Sequence, residues 1–253
     1  MKKIILITGA TSGIGVACAH IFAKNQYDII LTGRRENRLN EIKEKLEEEF
    51  QIECLTLSFD VRDNTQVEKA FDSIPKEWRN IDVLVNNAGL AVGLNPIQEG
   101  VLDDWERMID TNVKGLLYVT RKTLPWLIER RNGHVINIAS IAGKEVYPMG
   151  NVYCATKHAV DALSRAIRMD TVQQGIKVTN VAPGAVETEF SIVRFKGDES
   201  RADNVYKGYE PLSGEDVANV VYYIATLPKH VCINDIVITP TAQASASLFH
   251  KEL

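Results

Sequence analysis

Cysteine is scarce in this sequence, and its four copies are scattered. Cys18, Cys54, Cys154 and Cys232 form no CxxC pair, so no metal site and no disulfide framework is expected, and reduced thiols are the simplest reading. The five histidines are equally dispersed, with no HExxH or similar pair. Positive charge is not in excess. With 29 Lys+Arg against 33 Asp+Glu the formal net charge is -4, which argues against nucleic acid as a main partner, since that needs a concentrated basic face. Long hydrophobic runs are missing too: no stretch approaches the roughly twenty apolar residues that span a bilayer, so no membrane partner is expected. The opening Met1-Lys2-Lys3-Ile4-Ile5-Leu6-Ile7 faintly imitates a signal peptide, but its apolar run is short and ends in a glycine loop. A buried first strand and a cytoplasmic location are the expectation. There is no linker, repeat or low-complexity tract.

What is present is a regular alternation. The 253 residues, 45% hydrophobic and 25% charged, fit one large α/β domain spanning 1–253. Short apolar runs at 4–8, 28–32, 53–58, 81–85, 133–139, 176–181 and 236–239 read as strands. Helical patterns lie between them at 13–24, 37–50, 64–73, 103–128, 152–173 and 213–226. Asn64 reads as a cap, and the long 103–128 helix is expected to bend or end near Pro125. Lys and Glu alternate over 36–49, the mark of a solvated helix face. The βα rhythm predicts a doubly wound parallel sheet of Rossmann type, with helices on both faces. Only 185–211 breaks the rhythm. An irregular stretch that long commonly carries function, often as a lid.

Thr8-Gly9-Ala10-Thr11-Ser12-Gly13-Ile14-Gly15 stands where the first strand turns into the first helix. Glycine there permits a tight turn and a close approach to a pyrophosphate, and the helix N-terminus offers free N–H groups to that anion. A glycine triplet alone reads equally as a tight turn; following a strand and opening a helix, it reads as a dinucleotide cradle. The second strand ends in Thr32-Gly33-Arg34-Arg35, with no acid to bind a ribose 2′-hydroxyl. Two guanidiniums suit a 2′-phosphate instead, so NADP is expected over NAD.

Tyr153 and Lys157 stand four residues apart, on one face of a helix, and Ser140 lies thirteen residues upstream of Tyr153. A free tyrosine titrates near 10 and is a poor base at neutral pH. A neighbouring ammonium and a positive nicotinamide both favour its phenolate, which makes it an acid/base group. The Ser140 hydroxyl can hydrogen-bond the substrate oxygen. Alone, such a Tyr and Lys read as surface residues and such a Ser as a strand end. Together with the glycine loop they point to a hydride-transferring enzyme.

The chain resembles the short-chain dehydrogenases/reductases along nearly its whole length. Thr8 to Gly15 fits their TGxxxGxG motif, Asn86-Asn87-Ala88-Gly89 their NNAG, and Asn112 their helix asparagine. Ser140, Tyr153 and Lys157 fit the Ser and YxxxK signature, and Pro183-Gly184-Ala185-Val186-Glu187-Thr188 fits PGxxxT. NNAGLAV from Asn86, DWERMIDTNVKG from Asp104, VRFKGD from Val193 and TLPKH from Thr226 are similar to the NADP-dependent 3-hydroxy acid dehydrogenases. That subgroup acts on serine, allo-threonine and malonic semialdehyde. The segment after Pro183-Gly184 looks one residue shorter than in some members, which leaves the register of the loop open.

The resemblance implies specific roles. Gly9, Thr11, Ser12, Gly13, Ile14 and Gly15 would cradle the pyrophosphate, and Arg34 and Arg35 the 2′-phosphate. Asp60 and Val61 would hold the adenine, and Asn87, Ala88 and Gly89 would line the adenosine ribose side. Pro183, Gly184, Val186 and Thr188 would lie against the nicotinamide. Tyr153 and Lys157 would serve both cofactor and chemistry, Lys157 by holding the nicotinamide ribose. Ser140 and Tyr153 would meet the substrate, and Asn112 would fix a water linking Lys157 to solvent. Arg194, in the stretch Ser191-Ile192-Val193-Arg194-Phe195-Lys196, is the candidate cation for a substrate carboxylate, against the alternative of a solvated loop cation. The implied reaction interconverts small 3-hydroxy acids (L-serine, L-allo-threonine, 3-hydroxypropionate) and their 3-oxo forms. The implied assembly is a homotetramer built on the helices near Asn112 and Tyr153. A 3-oxoacyl or general carbonyl reductase is a second reading, but such reductases usually end in GQxxxVDGG, unlike Asn234-Asp235-Ile236-Val237-Ile238-Thr239 here. A non-enzymatic NADP sensor is a third, and the intact Asn112, Ser140, Tyr153 and Lys157 set argues against it.

Overall fold

The strands are continuous apolar runs because both faces of the sheet are covered. In β1 (Ile4–Ile7) all four residues are buried. Ile5 and Ile7 enter one core, Ile4 and Leu6 the other, as side chains alternating along a doubly covered strand must. The computed structural model describes residues 2–252. With β2 (Asp28–Gly33), β3 (Cys54–Ser58), β4 (Ile81–Asn86), β5 (His134–Ile138), β6 (Lys177–Pro183) and β7 (Asp235–Ile238), β1 forms one sheet in the order β3-β2-β1-β4-β5-β6-β7. Every pairing is parallel, as expected.

One face is covered by α1 (Gly13–Lys24), α2 (Glu36–Phe50) and α9 (Gly214–Thr226), through Phe22, Leu39 and Val221 among others. The other is covered by α3 (Asn64–Asp72), α5 (Leu116–Arg130) and α6 (Asn151–Thr171), through Phe71, Leu127 and Ile167. The strand order reverses between β1 and β4. There the connections leave in opposite directions, and a crevice opens at the C-terminal ends of the strands.

Four expectations need correction. The cap of α3 is Asp63, whose carboxylate accepts from the N–H groups of Thr65 and Gln66; Asn64 is the first helical residue. The long helical stretch runs as α4 (Leu102–Ile109), a π-helical turn over Asp110–Gly115 and then α5. Pro125 sits inside α5 without ending it. The next two residues explain this: Leu127 is fully buried and Trp126 stacks on Phe71 at 5.9 Å, and that packing outweighs one lost backbone bond. The stretch 185–211 is not structureless. It holds α7 (Phe190–Arg194) and α8 (Glu199–Tyr206), the latter capped by Asp198. By contrast, Ser213 caps α9 in a full capping box with Asp216, where a helix start was expected.

Candidate active site

The crevice is a cleft of ≈ 340 Å³. Of the residues expected to bind cofactor, all but Gly15 line it, and Ser140 lines it as well. Gly15 lies one layer behind. A β-carbon there would stand 2.3 Å from the Gly9 carbonyl, so only glycine lets α1 approach the first loop so closely. Gly13 holds φ +52, which lets the chain turn sharply into α1. Ser12 makes no side-chain cap bond and no acidic residue occupies the first turn of α1. The helix therefore presents unpaired N–H groups and its positive end to the cleft, a cradle that fits a pyrophosphate.

The loop is held from the side by the NNAG segment. The Thr8 hydroxyl accepts from the N–H groups of Asn87 (3.0 Å) and Ala88 (2.9 Å). The Asn87 amide donates to the carbonyls of Thr8 (2.9 Å) and Gly9 (3.1 Å). Both donors of Asn87 thus serve the loop. Asp60 is likewise engaged: its carboxylate pairs with Arg62 at 2.7 Å. Burial alone would raise its pKa, but the Arg62 hydrogen bonds and charge outweigh this and hold it low. Asp60 and Val61 both line the cleft.

Arg34 and Arg35 do different things. Arg35 donates from Nε (3.1 Å) and Nη2 (2.8 Å) to the Thr11 hydroxyl, from Nη2 to the Thr11 carbonyl, and from Nη1 to Glu189 (2.9 Å). Arg34 is 62% exposed and its only carboxylate neighbour among the described residues, Asp60, is 3.8 Å away. Its guanidinium is the freer of the two. Arg38 also reaches Glu189, at 2.6 Å. Sequence reasoning missed both Arg38 and Glu189. Arg38 lies four residues after Arg34, in the first turn of α2, and Glu189 follows Thr188 directly, so adjacency to residues already chosen was the available signal.

The other end of the cleft is buried. Tyr153 is 8% exposed and Lys157 6%. The Lys157 ammonium lies 5.9 Å from the Tyr153 ring centre and donates to the Ile138 carbonyl at 2.9 Å. Burial pulls its pKa down to about 8. Burial also pushes Tyr153 well up, with the nearby Tyr147 adding to it, while Ser140 and Arg194 pull the other way. The expected lowering assumes bound NADP+, and the protein alone lacks that charge. In the protein alone desolvation wins, and any lowering requires a further positive charge in the cleft. Ser140 stands on the turn after β5; its hydroxyl accepts from the Ala142 N–H at 3.1 Å and faces the Pro183 carbonyl at 3.4 Å.

Asn112 sits in the π-helical turn, outside the cleft lining. Its side chain accepts from the Leu90 N–H (2.8 Å) and donates to the Leu90 carbonyl (2.8 Å) and the Thr156 hydroxyl (3.0 Å). It clamps the chain leaving β4 to α6. A β-carbon on Gly89 would lie 3.3 Å from its Oδ1 and 3.4 Å from the Lys157 ammonium, so Asn112 and Lys157 flank one point without touching.

Arg194 ends α7 and lies outside the cleft lining, in a small neighbouring pocket that shares Tyr153 with the cleft. Its guanidinium lies 5.4 Å from the Tyr147 ring centre and 5.8 Å from that of Tyr153. Its Nη2 donates to the Tyr147 hydroxyl at 2.9 Å, and its Nε is buried with no partner. Among the described residues no carboxylate pairs with it. The neighbouring cation Lys196 is different: it pairs with buried Asp104 at 2.8 Å. Phe190 covers Tyr153 at 5.8 Å between ring centres. Tyr147 was not anticipated, and nothing in the pattern around it marks it.

A buried Tyr–Lys pair, a serine beside it and an anion cradle on one crevice can move a proton next to a bound dinucleotide. Comparison with known proteins gives the same direction. The family model described as short chain dehydrogenase matches residues 3–198. The NADP-dependent 3-hydroxy acid dehydrogenase YdfG of Salmonella typhi is 47% identical over 246 residues, covering 97% of this chain and 98% of that one. Sulfoacetaldehyde reductase 2 of Chromohalobacter salexigens is 46% identical, covering 96% of each chain. The closed form of a serine dehydrogenase complexed with NADP+ superimposes with a TM-score of 0.92 at 44% identity, covering 99% of this chain and 100% of that one. With most of its length matched by that model and by these relatives, the chain belongs to the short-chain dehydrogenase family.

Proposed function

We propose that this enzyme uses NADP(H) to interconvert small 3-hydroxy acids and the corresponding 3-oxo acids, with L-serine, L-allo-threonine and 3-hydroxypropionate as candidate substrates. The observation that carries the reading is Arg194: a half-buried guanidinium beside Tyr153, with no carboxylate partner and an unpaired Nε donor among the described residues. A buried donor left unpaired is costly, and a ligand carboxylate relieves that cost by bidentate hydrogen bonding. Residues 185–211 are the substrate loop on this reading. The preference for NADP is supported by the relatives above and by the exposed Arg34, which has donors to give a 2′-phosphate.

When bound, NADP+ would supply the hydride acceptor and a positive charge at the buried end of the cleft. Tyr153 takes the proton of the substrate hydroxyl as the C3–H bond gives up its hydride, leaving a C3=O group; in reduction it returns that proton. Ser140 donates a hydrogen bond to the substrate oxygen, where negative charge develops. Lys157 keeps its ammonium near Tyr153, favours the phenolate and has donors left for the nicotinamide ribose. Asn112 is a positioning residue that holds Leu90 and Thr156, and through them the wall around Lys157. Pro183, Gly184, Val186 and Thr188 shape the side against which the nicotinamide lies.

Arg194 grips a sulfonate as well as a carboxylate, and one relative is a sulfoacetaldehyde reductase; a small sulfonate aldehyde is therefore the second substrate reading. A homotetramer assembled on the helices near Asn112 and Tyr153 is part of the same proposal, by likeness to the family. The free cysteines support a cytoplasmic location. Turnover of L-serine and 3-hydroxypropionate with NADP+, against NAD+, tests the reading. NADP+ turnover of at least one acid supports it. Turnover confined to uncharged alcohols or to NAD+ contradicts it.

A further inference from the structure

We propose that Glu189 is a built-in competitor for the NADP 2′-phosphate, and that its exchange with that phosphate links the adenosine end of the cleft to the loop over the substrate. The inference rests on the reading of Arg34 and Arg35 as the 2′-phosphate site. Glu189 lines the same cleft as both arginines. Its carboxylate receives Arg35 Nη1 on one oxygen, at 2.9 Å, and Arg38 Nη1 on the other, at 2.6 Å. Two guanidiniums converging on one small anion make the arrangement that a phosphate recruits.

The contact is built to exchange. Glu189 is 43% exposed, and Arg35 and Arg38 are 42% and 46% exposed. Pairs so solvated are weak one by one. A phosphate carries more charge and more acceptors than a carboxylate and displaces it from at least one arginine. Arg35 cannot turn away altogether, because its remaining donors hold Thr11. Arg38 Nη1 is therefore the donor that changes hands most readily.

The consequence reaches the far side of the cleft. Glu189 is the residue from which α7 starts, and Arg194 ends that same five-residue helix. α7 is thus held at one end by Arg35 and Arg38, and at the other by the Arg194 carbonyl accepting from the Gly93 N–H at 3.0 Å. Losing Arg38 to the phosphate leaves the first of these anchors to Arg35 alone and weakens it. NADP(H) then binds less tightly than its contacts alone allow, and the loop that carries the substrate cation is loosened when the phosphate arrives.

The test uses two ligands that reach only the adenosine end: adenosine 2′,5′-bisphosphate and adenosine 5′-monophosphate. Calorimetric titration of Glu189→Gln should show the bisphosphate binding about threefold to tenfold tighter than to the native enzyme, with the monophosphate unchanged. In native enzyme the bisphosphate, but not the monophosphate, should speed amide hydrogen exchange in residues 190–194, and Glu189→Gln should abolish that response. Unchanged or weaker bisphosphate binding in Glu189→Gln, or slower exchange in 190–194 on adding bisphosphate, overturns the inference. Arg34→Ala separates the two claims. If it weakens the bisphosphate while Glu189→Gln does nothing, the phosphate site stands and the competitor falls. If neither variant discriminates the two ligands, both fall.

Discussion

The two ends of the cleft handle charge in opposite ways. At the adenosine end Arg34, Arg35, Arg38 and Glu189 are exposed to solvent and held in pairs that can be traded. At the other end Tyr153 and Lys157 are almost fully buried, and Lys157 donates to a backbone carbonyl, that of Ile138. Burial drives each toward its neutral form, Tyr153 up and Lys157 down to about 8. Solvated charge selects an anion at little cost to folding. Desolvated charge is held at a cost, and one more positive group then shifts it strongly. On the proposed reading, one crevice between β1 and β4 thus combines a solvated recognition end with a desolvated chemical end.

The comparison breaks most sharply at Tyr153. Tyr153→Phe keeps the ring packing and removes the proton carrier. Turnover should fall by at least about 10²-fold, while NADP+ affinity by titration stays close to native. Native-like turnover would mean that burial at this end serves packing alone.

Lys157 reports on desolvation directly. A lysine whose folded pKa lies near 8, against 10.5 unfolded, destabilises the fold while charged. The penalty is full below pH 8 and is relieved as pH rises to 10.5, because the unfolded chain binds the extra proton in that window. The stability difference between the native chain and Lys157→Met, both cofactor-free, should therefore change by up to about 3 kcal/mol in favour of the native chain between pH 8 and pH 10.5. Urea unfolding at a series of pH values measures it. A flat difference would show that Lys157 is solvated.

The adenosine end gives smaller and separable effects. Arg34→Ala should weaken NADP+ by about tenfold and leave NAD+ nearly unchanged, as loss of charge-assisted hydrogen bonds does. Arg35→Ala should weaken both cofactors, because Arg35 also holds Thr11 in the glycine loop. Equal loss of both cofactors in Arg34→Ala would remove it from the phosphate site.

Much of this was legible in the sequence. The strands announce themselves as apolar runs, and the glycine loop and the Tyr153–Lys157 spacing place themselves on a strand end and a helix face. Other features depend on distances that sequence does not contain. Tyr147 and Arg194 stand 47 residues apart and meet only because α7 packs beside the segment that leads into α6. The π-helical turn around Asn112 keeps helical spacing and leaves no mark in the residue pattern. Asp63 and Asn64 are both good caps, and the choice between them lies in backbone angles. The direction of the tyrosine shift depended on burial, which a charge count along the helix does not reveal.

On the proposed reading Arg194, a cation with no carboxylate partner among the described residues, selects an acid substrate. Steady-state kinetics of Arg194→Met with L-serine and with an uncharged secondary alcohol test it most directly, both with saturating NADP+. The account predicts KM for serine rising by about 10-fold or more, as the loss of a charged hydrogen-bonding partner implies, with the alcohol little affected. An equal response of the acid and the alcohol would contradict it.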